Sequence, residues 1–213
     1  MWVKIHELLG PVACAVIAFL APVTAAEENP YDLREGDIVF SSSPLGQGQA
    51  IMDATRSPYT HCGIVFVQEG KLMVLEAVEP VGATTLENFV SRSTPGTFTA
   101  RRLKIPLTPA AYQKAGDWAR KQIGIRYDLQ FRWDDARMYC SELVWKTYEK
   151  AGVRLCEPNH FRNLVLDKPG VKKAIEERYG GIDQFPLDEN VVAPGDIASS
   201  TLLAEPPIAS KRP

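Results

Sequence analysis

One cysteine of this chain stands where a helix is expected to begin. Cys140 opens a run through residue 151 in which apolar residues fall on one side and lysines on the other, and Gly152 is a suitable C-terminal stop. A thiol in the first turn faces the positive end of the helix dipole and free backbone N–H groups, and both favour the nucleophilic thiolate. Cys140 is therefore a candidate nucleophile. The alternative is a structural cysteine on an apolar helix face.

A cysteine nucleophile needs a base within hydrogen-bond reach. Two histidines follow the N-terminal segment, His61 and His160. His61 begins an apolar segment that predicts a strand, and a strand end holds a side chain rigidly. His160 follows Pro158 and Asn159 and is expected in a loop. We therefore expect His61 to be the base, with a purely structural histidine as the alternative.

The base in turn needs an acceptor that orients its ring. Residues 63–67 and 72–76 predict a β-hairpin that turns near Glu69 and Gly70. In such a hairpin the end of the second strand returns beside the start of the first, so Glu76 is expected close to His61. The alternatives are a solvent-facing Glu76 and, if the register differs, Glu79 as the acceptor.

The remaining cysteines leave two other interpretations open. Cys62 follows His61 on a strand, so it is expected to point to the opposite face and pack away from the cleft. A disulfide between Cys62 and Cys156 stays possible. Cys156 and His160 have a C-x3-H spacing that His61 and Cys62 could complete as a zinc site, although no C-x-x-C is present.

Composition narrows the class of protein. Hydrophobic residues at 45% and charged residues at 23% describe an ordinary globular protein. The formal net charge of −2 leaves no basic surplus to neutralise phosphates, which argues against nucleic acid as a partner. Neither a Gly-rich phosphate loop nor a G-x-S-x-G elbow occurs, so nucleotide binding and serine hydrolysis lack a motif.

The first 26 residues have the layout of a secretory signal peptide. Lys4 precedes an apolar run over residues 8–23, and small residues follow at 24–26. We expect an exported protein, periplasmic or extracellular, with a retained membrane anchor as the alternative. Removing this segment takes away Cys14 and leaves Cys62, Cys140 and Cys156. An odd number of cysteines in an exported protein implies at least one unpaired thiol.

The rest of the chain predicts one α+β domain over residues 27–200. Strands in the first half, including one at residues 98–105, and helices on either side of Cys140 favour an antiparallel sheet packed against helices. Thr108 is an N-cap before a proline, so residues 108–122 predict a helix. Residues 171–179 predict a short charged helix. Residues 201–213 are expected to form a flexible C-terminal tail.

Four segments in order resemble the permuted papain-like amidases of the YaeF/YiiX group, circularly permuted relatives of the NlpC cysteine hydrolases. In ordinary papain-like enzymes the cysteine precedes the histidine, whereas here His61 precedes Cys140, as the permutation requires. The resemblance covers about residues 33–152. The matching segments are Leu33-x-x-Gly36-Asp37-Ile38-Val39-Phe40, Thr60-His61-x-Gly63-Ile64-Val65, Val74-Leu75-Glu76-Ala77 and Tyr139-Cys140-Ser141-Glu142-Leu143-Val144.

The resemblance implies a permuted papain-like α+β fold and a Cys140–His61–Glu76 triad. Gly124-x-x-Tyr127 also matches the family's approach to the cysteine, so Tyr127 is expected either to face substrate or to pack. Cys62 stands where the family more often has an apolar residue, a departure expected to matter little for the chemistry.

The implied reaction is acyl transfer to water through an acyl-enzyme, without metal or organic cofactor. We expect a peptide amide substrate such as cell-wall material, a monomer, and transient association with the cell envelope. A lipid acyl or thioester substrate is the alternative within the same chemistry. A catalytically inactive binding module and a metal-binding structural protein are the alternatives of other classes.

Overall fold

A six-stranded antiparallel sheet forms the centre of the protein. The computed structural model describes residues 30–43 and 46–209, so the predicted signal peptide at residues 1–26 lies outside the described residues. The strands of this sheet are, in chain order, Ile38–Ser41 (β1), His61–Gln68 (β2), Lys71–Glu76 (β3), Gly82–Thr85 (β4), Thr99–Leu103 (β5) and Leu203–Ala204 (β8). Two further strands, Asn159–His160 (β6) and Asn190–Val191 (β7), form a separate two-stranded sheet. The order across the large sheet is β4-β3-β2-β1-β5-β8.

The β2–β3 hairpin has the predicted register. Ile64 pairs with Leu75 and Gln68 with Lys71, which leaves Glu69 and Gly70 as a two-residue loop. Both loop residues have positive φ, 52° and 76°, the conformation that tight hairpin turns require because its twist matches that of the strands. The turn therefore fixes which residues of β2 and β3 meet at the far end of the hairpin.

Six α-helices and two short 3-10 helices, Phe161–Asn163 and Ile182–Gln184, accompany the sheet within the described part of the chain. The predicted helix after Thr108 is confirmed, since the Thr108 side chain accepts a hydrogen bond from the Ala111 N–H at 3.2 Å. The predicted helix at Cys140 is also confirmed and is followed by Gly152 at φ 82°. The α-helices are Gly48–Thr55 (α1), Leu86–Ser91 (α2), Pro109–Lys121 (α3), Cys140–Lys150 (α4), Pro169–Tyr179 (α5) and Pro194–Ala198 (α6).

The two faces of the sheet bury different sets of side chains. One face packs against α4 through a cluster that includes Phe40, Cys62, Cys140 and Leu143. The other face packs against α2 through Val39, Val65, Val74 and Phe89. This alternation along each strand is the period of two expected of a sheet that is covered on both sides. The fold class predicted from the sequence, α+β with an antiparallel sheet packed against helices, is confirmed.

Part of the C-terminal segment, for which a flexible tail over residues 201–213 was predicted, pairs with the rest of the fold. Leu203 pairs with Leu103 of β5 and is 6% exposed. Further on, Ile208 forms a bridge with Tyr31, and the Ala209 N–H donates to the Pro30 carbonyl at 2.8 Å. These contacts were missed because they join residues about a hundred or more positions apart. No helix among residues 30–43 and 46–209 has the length and apolar character needed to cross a bilayer.

Candidate active site

Cys140 is the first residue of α4 and is 4% exposed. The preceding residue, Tyr139, is extended and forms the N-cap, and its N–H donates to the Glu142 carboxylate at 3.4 Å. Apolar residues of α4, among them Leu143 and Val144, are fully buried against the sheet. Packing of the helix therefore holds the thiol at the helix N-terminus, where the helix dipole favours its anionic form.

His61 and Glu76 meet at the end of the hairpin opposite the turn. His61 Nε2 lies 2.5 Å from Glu76 Oε2. The Glu76 side chain is 2% exposed, whereas that of His61 is 22% exposed. Glu79, the alternative acceptor, instead accepts hydrogen bonds from Arg126 Nε and the Tyr127 N–H. The acidic residue at His61 is thus Glu76, as the predicted register requires.

His61 also contacts Cys140, so the three candidate residues come together in one place. Because Nε2 of His61 is engaged by Glu76, Nδ1 is the nitrogen left for the thiol. A thiol, an imidazole and a carboxylate in this sequence of contacts form the arrangement that activates a cysteine nucleophile.

The charges of the group support one another. A hydrogen bond from the Cys62 thiol and the nearby His61 lower the pKa of Cys140 well below its usual value, although burial opposes this. Burial lowers the pKa of His61, but the contacts with Cys140 and Glu76 outweigh it and raise that pKa to about 9. Burial alone would raise the pKa of Glu76, but the contacts with His61 and Arg92 outweigh burial and lower that pKa below its usual value. The favoured state is a thiolate beside an imidazolium, with an ionised carboxylate behind it.

Cys62 points to the face of β2 opposite His61 and is fully buried in the core, as expected, but it does not lie away from the site. Its thiol and its backbone N–H lie close enough to the Cys140 sulfur to favour the thiolate and lower the pKa of Cys140. The strand alternation was applied correctly, but the face that α4 covers is the face of Cys62. His61 lies on the other face, where its ring stacks on Phe89 at 5.6 Å between centroids, and it reaches the thiol from the end of the strand. Sequence alone does not tell which face α4 covers.

The other interpretations of the cysteines and histidines are not supported. Cys62, Cys140 and Cys156 are free thiols. Cys156 lies beyond the other end of α4, where its carbonyl accepts a hydrogen bond from Trp145 Nε1 at 2.8 Å. Within the described ranges, no group of three or more His, Cys, Asp or Glu residues could hold a metal ion. His61, Cys62, Cys156 and His160 therefore do not assemble into the zinc site considered from the sequence.

Arg92 and Phe89 belong to the site but were missed in the sequence. Arg92 directly follows α2, and its guanidinium pairs with Glu76 Oε1. It also lies over the Phe89 ring, 5.9 Å from the centroid. Their position depends on β4 and α2, which lie in the segment that sequence reasoning left unassigned. The visible signal was Thr85, whose side chain caps α2 by accepting from the Asn88 N–H at 3.1 Å.

A cavity of about 100 Å³ opens beside Cys140 between α1 and α5. Its polar side is a chain of hydrogen bonds: Arg178 Nη2 donates to Gln47 Oε1 at 2.6 Å, and Gln47 Nε2 donates to the Tyr127 hydroxyl at 3.0 Å. Tyr127 thus lines the cavity that contains the thiol, and its contact with substrate stays a prediction. The remaining lining is largely apolar and includes Ala54, Phe131, Leu164, Val171, Ile175 and Phe185.

Comparison with known proteins identifies the family to which the chain belongs. The sequence profile of a family described as permuted papain-like amidase enzymes, YaeF/YiiX, the C92 family, matches residues 32–204. The uncharacterized protein YiiX of Escherichia coli K12 is 36% identical over 180 residues, which cover 84% of this chain and 87% of that protein. A crystal structure of the metalloprotein YiiX from Escherichia coli O157:H7 superposes with a TM-score of 0.76 at 36% identity, covering 84% of this chain and 98% of that one.

Proposed function

Because the chain belongs to the permuted papain-like amidases of the C92 family and is therefore a cysteine-type hydrolase of papain-like fold, we propose that it cleaves amide bonds through Cys140, His61 and Glu76. The observation that carries the proposal is the part-buried contact of 2.5 Å between His61 and Glu76, together with the contact of His61 with the thiol at the start of α4.

The arrangement suits acyl transfer in two steps. The Cys140 thiolate attacks the carbonyl carbon, and the His61 imidazolium gives its proton to the leaving nitrogen. His61, now neutral, then removes a proton from the water that hydrolyses the acyl-enzyme. The backbone N–H of Cys140 is a suitable donor to the oxyanion because it lies in the first turn of α4, where N–H groups lack helical partners.

The substrate class we favour is a peptide amide such as that of cell-wall material. Hydrolysis or transfer of a lipid acyl group, from an ester or thioester, is the second candidate. The cavity beside Cys140 favours it, because apolar side chains of α1, α5 and the segment between β6 and α5 would surround an aliphatic chain. A catalytically inactive binding module would have no need to keep the thiol, imidazole and carboxylate in contact.

Exported location is part of the proposal. It rests on the basic, apolar and small-residue layout of residues 1–26. An envelope location would give the enzyme access to both substrate classes named above.

A parallel hydrolysis screen tests the activity. Purified protein is assayed against muropeptides and against acyl esters and thioesters of increasing chain length, with Cys140→Ala and Cys156→Ala as the matched pair. We expect Cys140→Ala to abolish hydrolysis and Cys156→Ala to keep it, since Cys156 lies beyond the other end of α4. Full hydrolysis by Cys140→Ala would refute the proposed nucleophile. Turnover of the acyl series with no muropeptide cleavage would transfer support to the second candidate.

A further inference from the structure

The geometry points to Arg92 as a positioning residue, which holds the Glu76 carboxylate ionised and directed at His61 while His61 gains and loses its proton. This inference rests on the proposed roles of His61 and Glu76. It concerns a residue outside the Cys140–His61–Glu76 group.

Arg92 is fixed at three points around the pair. Its guanidinium pairs with Glu76 Oε1, which leaves Oε2 for His61. Its Nε donates to the Asn88 carbonyl in α2 at 3.0 Å. The guanidinium also lies over the Phe89 ring, and the imidazole of His61 stacks on the same ring. A short helix therefore supplies both a cation for the carboxylate and an aromatic surface for the imidazole.

The need for such a cation follows from the burial of Glu76. A carboxylate that is 2% exposed is stable only when it is paired. The ionisable groups around it are His61 and Cys62 on β2, Cys140 on α4, and Arg92 after α2. Among these, only Arg92 carries a positive charge at every stage, because guanidinium does not deprotonate in proteins.

His61 cannot serve as the sole partner of Glu76 during turnover. When the imidazolium gives its proton to the leaving group it becomes neutral, and Glu76 would then be a buried anion without an ionic partner. Arg92 supplies the positive charge in that interval. Glu76 thus stays a carboxylate and can stabilise the imidazolium that forms again when His61 takes a proton from water.

The test compares neutral and charged replacements of Arg92. The variants are Arg92→Met, Arg92→Gln and Arg92→Lys, and the matched control is Arg120→Met on α3, where Arg120 pairs with the exposed Asp117. The first readout is the rate of alkylation of Cys140 by iodoacetamide against pH, followed by peptide mass spectrometry. It requires no knowledge of the substrate. The second is the pH dependence of kcat/KM on any substrate found in the hydrolysis screen.

We expect the acid limb of the alkylation profile to move to higher pH by about one unit in Arg92→Met and Arg92→Gln. One opposite charge in contact with a carboxyl group shifts its pKa by about one to three units. We expect the lower end of this range because the Arg92 side chain is 49% exposed and its charge is partly screened by solvent. Without Arg92, Glu76 takes up a proton at higher pH. The His61 imidazolium, which is still charged at that pH, then loses the anionic partner that holds it beside the Cys140 sulfur, so alkylation of Cys140 slows. Arg92→Lys should shift the limb less, and Arg120→Met not at all.

The outcomes separate this inference from the proposed function. Profiles of folded Arg92→Met and Arg92→Gln that coincide with the wild type would overturn the role of Arg92. A wild-type Cys140 that alkylates no faster than Cys156 near neutral pH would instead refute the activated thiol itself. Thermal unfolding of each variant shows whether its fold is intact, and two neutral replacements ensure that one misfolded variant does not decide the result.

Discussion

Replacing Cys62 by alanine removes one hydrogen-bond donor from the candidate nucleophile and leaves its other neighbours in place. The Cys62 thiol is fully buried, and burial raises its pKa, so it keeps its proton and can donate to the Cys140 sulfur. The backbone N–H of Cys62 and the contact with His61 persist in Cys62→Ala. The variant therefore tests a single interaction with the thiolate.

The size of the effect follows from the type of bond. A hydrogen bond to a charged group contributes about 1.5–3 kcal/mol, and a thiol is a weak donor, so the lower end applies. About 1.4 kcal/mol corresponds to one pKa unit. We therefore expect the pKa of Cys140 to rise by about one unit in Cys62→Ala. Cys62→Ser keeps a donor at the same position and should preserve most of the effect.

The assay is the rate of Cys140 alkylation by iodoacetamide between pH 4 and 9, chosen as about the range over which thiolates in such sites form. Cys156 serves as an internal reference in the same samples, because its pKa is raised to about 12 by burial. Cys156→Ala is the matched control for loss of a thiol. Thermal unfolding monitors the fold, since removing the buried sulfur is itself expected to cost about 1 kcal/mol of stability.

Two results would refute this reasoning. If Cys62→Ala alkylates with the wild-type pH dependence, the Cys62 thiol does not stabilise the thiolate. If Cys62→Ser and Cys62→Ala show the same shift, the effect comes from the lost sulfur volume and not from the lost donor.

Three further perturbations test the site and the fold. Glu76→Gln should lower the pKa of His61 from about 9, because the imidazolium loses an anionic partner, so the alkaline limb of kcat/KM moves to lower pH. The rate loss in Glu76→Gln should be roughly a hundredfold smaller than that in His61→Ala. The reverse order would mean that the roles are misassigned. Gly63→Ala should destabilise the protein by about 1–3 kcal/mol in denaturant titrations, since its Cβ would lie 2.4 Å from Val74 Cγ1 and 2.9 Å from the Leu75 carbonyl oxygen. The control Gly82→Ala should not, because its Cβ would make only an ordinary contact, 3.8 Å from the Pro80 carbonyl oxygen; equal stabilities would contradict the close packing of β2 on β3. Arg102 binds both carboxylate oxygens of the buried Asp37 at 2.6 Å. Asp37→Ala removes this partner and should lower the free energy of unfolding by about 3–5 kcal/mol. A loss below about 1 kcal/mol would show that the pair contributes little.

The His61–Glu76 contact and the helix that begins at Cys140 were predictable from patterns within short segments of the sequence. The contact of His61 with Glu76 joins residues only fifteen positions apart, and the two-residue turn at Glu69 and Gly70 fixes their register. The helix start at Cys140 is equally local. These features depend on strand alternation, turn chemistry and helix periodicity, which are properties of short segments. The same signals gave the antiparallel sheet and the helix after Thr108.

The remaining features depend on contacts between distant segments. Gly82–Thr85 is four residues long and lacks strong strand formers beyond its two threonines, so β4 and the α2 helix that follows it were not predicted. Arg92 reaches Glu76 only because these two elements bring the chain back to the end of β3. Similarly, β8 has two residues and is defined by its pairing with β5. Short elements of this kind have too little sequence of their own to show a period.

The position of Cys62 shows how the two kinds of information combine in the site. Alternation correctly placed His61 and Cys62 on opposite faces of β2, but a nucleophile carried by α4 must approach from the face that α4 covers. That face presents Cys62, and only the end of the strand lets His61 reach the same sulfur from the other side. The Cys140 thiolate is therefore contacted by the Cys62 thiol on the face covered by α4 and by the His61 imidazolium at the end of β2. Glu76 contacts the other nitrogen of the imidazole, and Arg92 pairs with Glu76. A nucleophile on a helix and a base on a strand end can meet in this way whichever of them comes first in the chain, so the order His61 before Cys140 leaves the chemistry of the site unchanged.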